Sequence, residues 1–134
     1  MEHSPYLREL MRDQTSVINA AIATLSAVAE DFDAIVVTGV SGLLLGPTLA
    51  HLMRKRIGIV RKYEDQPGKG NHAVCAVESN MEFDDRWLFV DDLIASGETV
   101  KRVVCQMERH MPTTRMAGRY LYNREEYIEG GWNV

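Results

Sequence analysis

The segment Trp87-Leu88-Phe89-Val90-Asp91-Asp92-Leu93-Ile94-Ala95-Ser96-Gly97-Glu98-Thr99-Val100 constrains the fold more than any other. Its apolar opening reads as a strand buried on both faces. Asp91 and Asp92 follow at the carboxyl end of that strand. The small-residue turn Ala95-Ser96-Gly97 then leads into Glu98-Thr99-Val100 and a helical pattern. In an open α/β sheet, ligands sit outside the carboxyl ends of the strands. A turn there that opens a helix aims free backbone N–H groups at an anion. Ser96 and Thr99 add hydroxyl donors, and Gly97 lets the backbone come close or take a positive φ. Asp91 and Asp92 suit sugar hydroxyls or a hydrated Mg²⁺. The ligand expected here carries a phosphate at one end and a diol or metal at the other. The plainer reading is a buried strand, a polar turn and a capped helix. Consecutive carboxylates directly after a buried strand are costly unless used, which weighs against it.

The flanking chain supplies the remaining elements. Ser4-Pro5 has the form of a helix start. Leu7, Leu10, Met11, Val17, Ile18, Ala21, Ile22, Leu25, Val28 and Ala29 then recur at helical spacing, with a possible break near Asp13 to Ser16. Ala34 to Thr38 reads as the first buried strand and Gly39-Val40-Ser41-Gly42 as the turn after it. Leu43 to Arg56 reads as a helix, with Pro47 tolerable only near its first turn. Taken alone, the glycine-bearing turn is either a plain βα connection or a second anion-sized pocket. Ile57 to Val60 is the next strand and runs into Arg61-Lys62. Tyr63 to His72 is a polar loop with Pro67, Gly68 and Gly70. Ala73 to Glu78 is an apolar strand. Val100, Val103, Val104 and Met107 form a helical stripe that Met111-Pro112 ends. Met116 to Leu121 is the last strand expected, and Tyr122 to Val134 is a short tail.

The chain of 134 residues suits a single domain, 1–134. No apolar run is long enough to span a bilayer, and the N-terminus lacks a signal-peptide layout. A cytoplasmic protein without membrane contact is expected. The net charge of −4 argues against nucleic acid as a partner. The dense basic run Arg54-Lys55-Arg56 reads as a helix C-terminal cap. Cys75 and Cys105 form no CxxC and are expected as buried thiols. The histidines lack zinc-ligand spacing.

The segment from Leu88 to Thr99 closely resembles the phosphoribosyl-pyrophosphate (PRPP) signature of type I phosphoribosyltransferases. That signature is a hydrophobic strand, two acidic residues, two apolar residues, a small pair, Gly, any residue and Thr. Gly42-Leu43-Leu44-Leu45-Gly46-Pro47-Thr48-Leu49-Ala50 resembles the segment after the pyrophosphate loop of the adenine-type enzymes, although Ser41 stands where they carry Arg. Arg61-Lys62 resembles the basic pair that those enzymes deliver into a flexible lid. Alone, that pair is an ordinary solvated strand end. The parts stand in family order, and Ala95 also matches adenine- and orotate-type rather than 6-oxopurine enzymes. Among them the motifs are closest to adenine phosphoribosyltransferase.

The resemblance implies a doubly wound α/β domain, with a mostly parallel five-stranded sheet and the site at the strand carboxyl ends. It implies transfer of ribose 5-phosphate from PRPP to a nucleobase, adenine-like by resemblance, with release of pyrophosphate. Ala95, Ser96, Gly97, Glu98 and Thr99 would hold the 5-phosphate. Val40, Ser41, Gly42 and Arg61 would meet the pyrophosphate. Arg61, Lys62, Asp91 and Asp92 are the catalytic candidates, and Asp91 and Asp92 would hold Mg²⁺ directly or through water. Family enzymes read the base with a hood built from both chain ends, which is reduced here. Tyr122, Tyr127 or Trp132 could stack on a base, or serve as core or dimer contacts. A homodimer is expected, because an amphipathic N-terminal helix on so small a domain has apolar surface to cover. A non-catalytic PRPP- or nucleotide-binding regulator on the same fold is the alternative. An interaction scaffold with a vestigial signature fits less well with intact Asp91, Asp92, Gly97 and Thr99.

Overall fold

The computed structural model describes residues 13–28, 31–61, 76–91 and 97–130. In chain order these form α1 (Gln14–Val28), β1 (Ala34–Thr38), α2 (Gly39–Met53), β2 (Arg56–Val60) and β3 (Val77–Ser79). They continue with β4 (Arg86–Asp91), α3 (Glu98–His110), β5 (Arg115–Leu121) and β6 (Glu126–Glu129). The Ser4-Pro5 helix start and the Tyr63 to His72 loop lie outside the described residues, as do Ala73 to Cys75 of the expected third strand. Among the described residues no helix is long and apolar enough to cross a membrane.

Every residue of β1 is buried, because its Ala-Ile-Val-Val-Thr sequence offers apolar side chains to both faces of the sheet. It lies between two parallel neighbours, β2 and β4. β5 extends the parallel set beyond β4, and β3 and β6 close the edges antiparallel. The order is β3-β2-β1-β4-β5-β6. α1 and α2 cover one face, where Ile18, Leu25, Leu45 and Leu49 meet Val37, Leu88 and Val90. α3 covers the other face with Val100, Val103, Val104 and Met107 against Val36, Trp87 and Phe89. Full burial of apolar side chains of this kind is worth about 1.5–3 kcal/mol each. The doubly wound, mostly parallel α/β architecture expected from the sequence is therefore the one observed.

Several details differ from expectation. The sheet has six strands rather than five. β6 pairs on one side only, and its Glu-Tyr-Ile-Glu sequence leaves all but Tyr127 exposed, so it lacks a buried strand's apolar signature. α2 begins at Gly39, not Leu43. Gly39 adopts φ 77° and turns the chain at once, so Val40, Ser41 and Gly42 form the first helical turn instead of a loop. Pro47 consequently lies inside α2. There a proline removes one backbone donor and crowds the preceding turn. Nearby, Gln14 Nε2 donates to the Leu44 carbonyl at 2.9 Å and ties the start of α1 to this turn. Cys105 is exposed, not buried, because it falls outside the Val100-Val103-Val104-Met107 stripe. Cys75 lies outside the described residues. Of the basic run, Arg54 is the left-handed C-cap of α2. Lys55 and Arg56 instead reach other elements. Lys55 Nζ donates to Phe32 O at 2.7 Å and stands 4.4 Å from the centre of the Phe32 ring.

Arg56 makes a two-pronged bond to Asp85, with Nε–Oδ2 at 2.7 Å and Nη2–Oδ1 at 2.6 Å. Asp85 is 4% exposed and also accepts from Glu82 N at 2.8 Å. The Arg56 bond holds its carboxyl below the usual carboxylate range. A depressed folded-state pKa stabilises the fold above the unfolded value of about 3.9, and that stability is lost as pH falls through the folded value. Asp85→Asn should therefore cost about 1–3 kcal/mol at neutral pH. The difference from the parent should shrink in urea titrations taken progressively below pH 4.

α2 sits very close to β1. A Cβ on Gly46 would lie 2.6 Å from Val37 Cγ1, and one on Gly42 would lie 3.0 Å from Val37 Cβ. Gly46→Ala should therefore destabilise the protein by about 1–3 kcal/mol through overpacking. A lowered urea midpoint at unchanged slope would verify it.

Candidate active site

The β1–β2 ladder runs to the last residues of both strands, Thr38 and Val60. The β4–β5 ladder likewise runs to Asp91 and Leu121. Between β1 and β4 the ladder stops earlier, at Val36 and Phe89. The helix after β1 covers one face and the helix after β4 covers the other, so the chain leaves these neighbours in opposite directions. The ladder between them ends two residues short of Thr38 and Asp91, and the candidate crevice is assigned to this point, where the strand order reverses. That is where open α/β sheets bind ligands.

On the β1 side, Thr38 is the extended N-cap of α2, but its side chain does not cap the helix. Its Oγ1 donates to Val60 O at 2.6 Å instead. The first turn of α2, containing Val40, Ser41 and Gly42, thus opens without a side-chain cap. Val40 is 62% exposed, and Gly42 is buried against Val37.

On the β4 side, Asp91 ends its strand 8% exposed. Gly97 is the N-cap of α3, with φ 77° and no side-chain cap bond, which is one of the two roles expected of it. Glu98 and Thr99 lie in the first turn, Glu98 exposed and Thr99 half-buried. Asp92, Ala95 and Ser96 lie outside the described residues.

Arg61 follows β2 at the same edge. Its N–H donates to Ala76 O at 2.7 Å, and its guanidinium pairs with Glu78 of β3. Arg102 Nη1, from α3, donates to the Arg61 carbonyl at 3.2 Å. Lys62 lies outside the described residues. The parallel strands thus bring Val40 to Gly42, Arg61, Asp91 and Gly97 to Thr99 to one edge of the sheet.

The aromatic candidates are placed differently. Tyr122 N donates to Asp91 O at 2.9 Å, so its backbone adjoins the crevice. Its side chain is 7% exposed and packs with the α1-covered core. Tyr127 lies over Gly118, where an added Cβ would come within 2.6 Å of its ring, and its hydroxyl faces Ala117 O at 3.4 Å. Burial pushes the Tyr127 hydroxyl above the usual tyrosine range. The Tyr127 ring is therefore committed to strand packing. Trp132 lies outside the described residues.

Sequence reasoning passed over Thr38, Glu78 and Arg102. Thr38 closes a buried strand with a polar side chain, which is a legible signal. Arg102 follows Gly97 by little more than one helical turn, and its bond to the Arg61 carbonyl has no local signal. Glu78 had no signal beyond its place in an apolar run.

Among the described residues, no group of three or more His, Cys, Asp or Glu could by itself hold a metal ion. Asp91 is a buried carboxylate at the crevice, with Asp92 next in sequence. One or two carboxylates, with water and phosphate oxygens completing the shell, are the usual protein contribution to a Mg²⁺ site. The donor chemistry fits that ion.

No protein-family model matches the chain. An adenine phosphoribosyltransferase from Mycoplasmopsis agalactiae is 30% identical over 101 residues, covering 65% of this chain and 57% of that protein. The match thus spans little more than half the length of that curated relative. Adenine phosphoribosyltransferase from Saccharomyces cerevisiae, solved with an imino-altritol bisphosphate and adenine, superposes with a TM-score of 0.62 at 24% identity. The match covers 80% of this chain and 65% of that one. Orotate phosphoribosyltransferase from Aeropyrum pernix gives a TM-score of 0.64 at 17% identity, over 85% of this chain and 62% of that one. The fold is that of the type I phosphoribosyltransferases.

The left-handed φ of Gly97 carries a consequence for stability. Gly97→Ala should lower stability by about 1–2 kcal/mol, because a Cβ is strained at that φ. Urea unfolding followed by circular dichroism should report it.

Proposed function

We propose that this chain, built on the type I phosphoribosyltransferase fold, transfers ribose 5-phosphate from PRPP to a nucleobase and releases pyrophosphate. The observation that carries the reading is the parting of β1 and β4 between two helix starts that lack side-chain caps, with buried Asp91 at the rim. Such a crevice offers donors for two phosphate-bearing ends and an acceptor between them. The adenine-like assignment of the base rests on the motifs and on the similarity to adenine-type enzymes.

In this reading the backbone N–H groups of Gly97, Glu98 and Thr99, with the Ser96 and Thr99 hydroxyls and the Ala95 turn, hold the 5-phosphate. Asp91 and Asp92 accept from the ribose 2- and 3-hydroxyls. The first turn of α2, Val40 to Gly42, and the guanidinium of Arg61 receive the pyrophosphate. As the anomeric C–O bond breaks, the sugar gains positive character and the leaving group gains negative charge, so the protein's work is positioning and charge stabilisation. Mg²⁺ held by Asp91 and Asp92, directly or through water, would supply further neutralisation of the leaving group. Lys62 begins a lid that keeps water from the sugar cation. Tyr122 and Trp132 remain the aromatic candidates for the base, although the Tyr122 side chain is packed in the core. A homodimer is proposed as well, supported by Leu43, Leu44 and Leu52, which are exposed on α2. A cytoplasmic location is part of the same proposal.

Ser41 in place of the family arginine favours a second reading, a PRPP-binding regulator without turnover. The deciding experiment is pyrophosphate release from PRPP and Mg²⁺ with a panel of purine and pyrimidine bases, beside a no-base control. Release with one base supports the transferase and names the acceptor. Silence on protein that binds PRPP by calorimetry supports the regulator. Replacing both Asp91 and Asp92 by Asn should abolish Mg²⁺-dependent PRPP binding in the same calorimeter. Lys62→Ala should lower kcat by a larger factor than it weakens PRPP binding, and steady-state kinetics beside calorimetry would separate the two.

A further inference from the structure

We infer that a cavity at the amino ends of β4 and β5 is the seat of Trp132, brought there by the chain that follows β6. The inference does not rest on the PRPP-binding reading, and it takes Trp132 from the residues named for the base. The cavity has a volume of about 320 Å³. Trp87, Val104, Met107 and Met116 supply its apolar lining, and Glu108, Thr114 and Arg115 its polar lining. A dry cavity of about 150 Å³ accepts benzene, so this one has room for a two-ring aromatic group.

The register of the outer strands carries the chain towards it. β6 runs antiparallel to β5, and its last pair is Glu129 with Gly118. Gly130 N then donates to Ala117 O at 2.9 Å. Gly130 is the last described residue, and Trp132 is the aromatic residue among the four that follow it. Continued in the same sense, the next two positions come level with Met116 and Arg115, both in the lining. Two extended residues span about 7 Å and paired strands lie about 4.8 Å apart, so an indole at position 132 is within reach of the cavity. Gly130 has φ 96°, with nothing within 4 Å of where a Cβ would stand, so there is space for the chain to turn onto the sheet.

That side of the sheet is also short of cover. Among the described residues, α1 and α2 together pack on one face, whereas α3 alone packs on the other, over Val36, Trp87 and Phe89. Residues paired across a sheet point to the same side. Phe89 pairs with Arg119, and Arg119 with Ile128, so Ile128 lies on the side of α3, where it is 42% exposed. An indole beside Met116 would carry the cover from α3 out over β5. Met107 and Met116 suit it, because thioether sulfur packs well against aromatic rings. A buried indole N–H needs an acceptor. The Glu108 carboxylate is one, and Thr114 is another, since its Oγ1 donates its own proton to Met111 O at 2.7 Å and keeps its lone pairs.

The chain has two tryptophans, and Trp87 is 3% exposed, so acrylamide quenching of the full chain reads Trp132 against a shielded internal reference. Both should resist acrylamide, and Trp132→Phe should remove emission that is shielded. Met116→Gln, which places a polar amide in the lining, should make Trp132 quenchable while Trp87 stays shielded and reports an intact fold. Emission that is quenchable in the parent and lost in Trp132→Phe would overturn the inference. So would a Trp132 that stays shielded in Met116→Gln, because its cover would then lie elsewhere. If Met116→Gln does not fold, methyl-labelled methionine in the parent decides. Nuclear Overhauser contacts from the Trp132 indole to the Met107 and Met116 methyl groups are expected, and their absence would overturn the assignment. Shielding of Trp132 that appears only on adding adenine with PRPP and Mg²⁺ would overturn it in favour of a base-binding role and leave the transferase reading standing.

Discussion

The parallel hydrogen-bond ladders on both sides of β1 are the constraint from which the rest of the molecule follows. A strand with parallel neighbours on each side cannot be joined to either by a short hairpin. The chain must leave β1 through α2 to reach β2, and must leave β4 through α3 to reach β5. Since both faces of such a strand are apolar, the helices have to be divided between the faces. That division pulls the exits of β1 and β4 apart, and the ladder ends at Val36 and Phe89 while each strand continues along its other neighbour. The crevice is thus a consequence of covering the sheet.

The two ends of the sheet treat polar groups differently. At the amino end, Arg56 and Asp85 satisfy each other. Asp33 Oδ2 accepts from Arg86 N at 2.9 Å, and Arg115 N donates to Asp85 O at 3.0 Å. Charges here close upon neighbouring backbone and knit the strand starts together. At the carboxyl end, two helices begin without side-chain caps, and Arg102 is anchored on an uncharged carbonyl. Such an arrangement has a lower stability than a capped one. Such helix starts leave backbone donors that a bound anion can satisfy.

Legibility in the sequence followed burial. β1 and β4 were readable because unbroken apolar runs have few other uses, and the stripe on α3 was readable because its spacing repeats with the helix. Gly97 was readable in part, because a glycine opening a helix permits either a close backbone approach or a positive φ, and the structure shows the second. The start of α2 was not, since Gly39 to Gly42 looks like a loop until Val37 is seen pressed against Gly42 and Gly46. That is a tertiary contact with no local trace. β6 was hidden by its glutamates, as edge strands often are, and Cys105 was misjudged from residue type without regard to its place on the helix.

The two halves of the crevice come from distant parts of the chain. Asp33, which precedes β1, and Arg86, which opens β4, are separated by 53 positions yet bonded directly. Bringing such segments together carries a loop-closure entropy that grows with the logarithm of the intervening length, and pairings of this range slow folding. The crevice therefore comes into existence only when the longest closure in the sheet is made. A molecule bridging its two sides would bind the native chain alone, and by mass action would draw the population out of the unfolded ensemble.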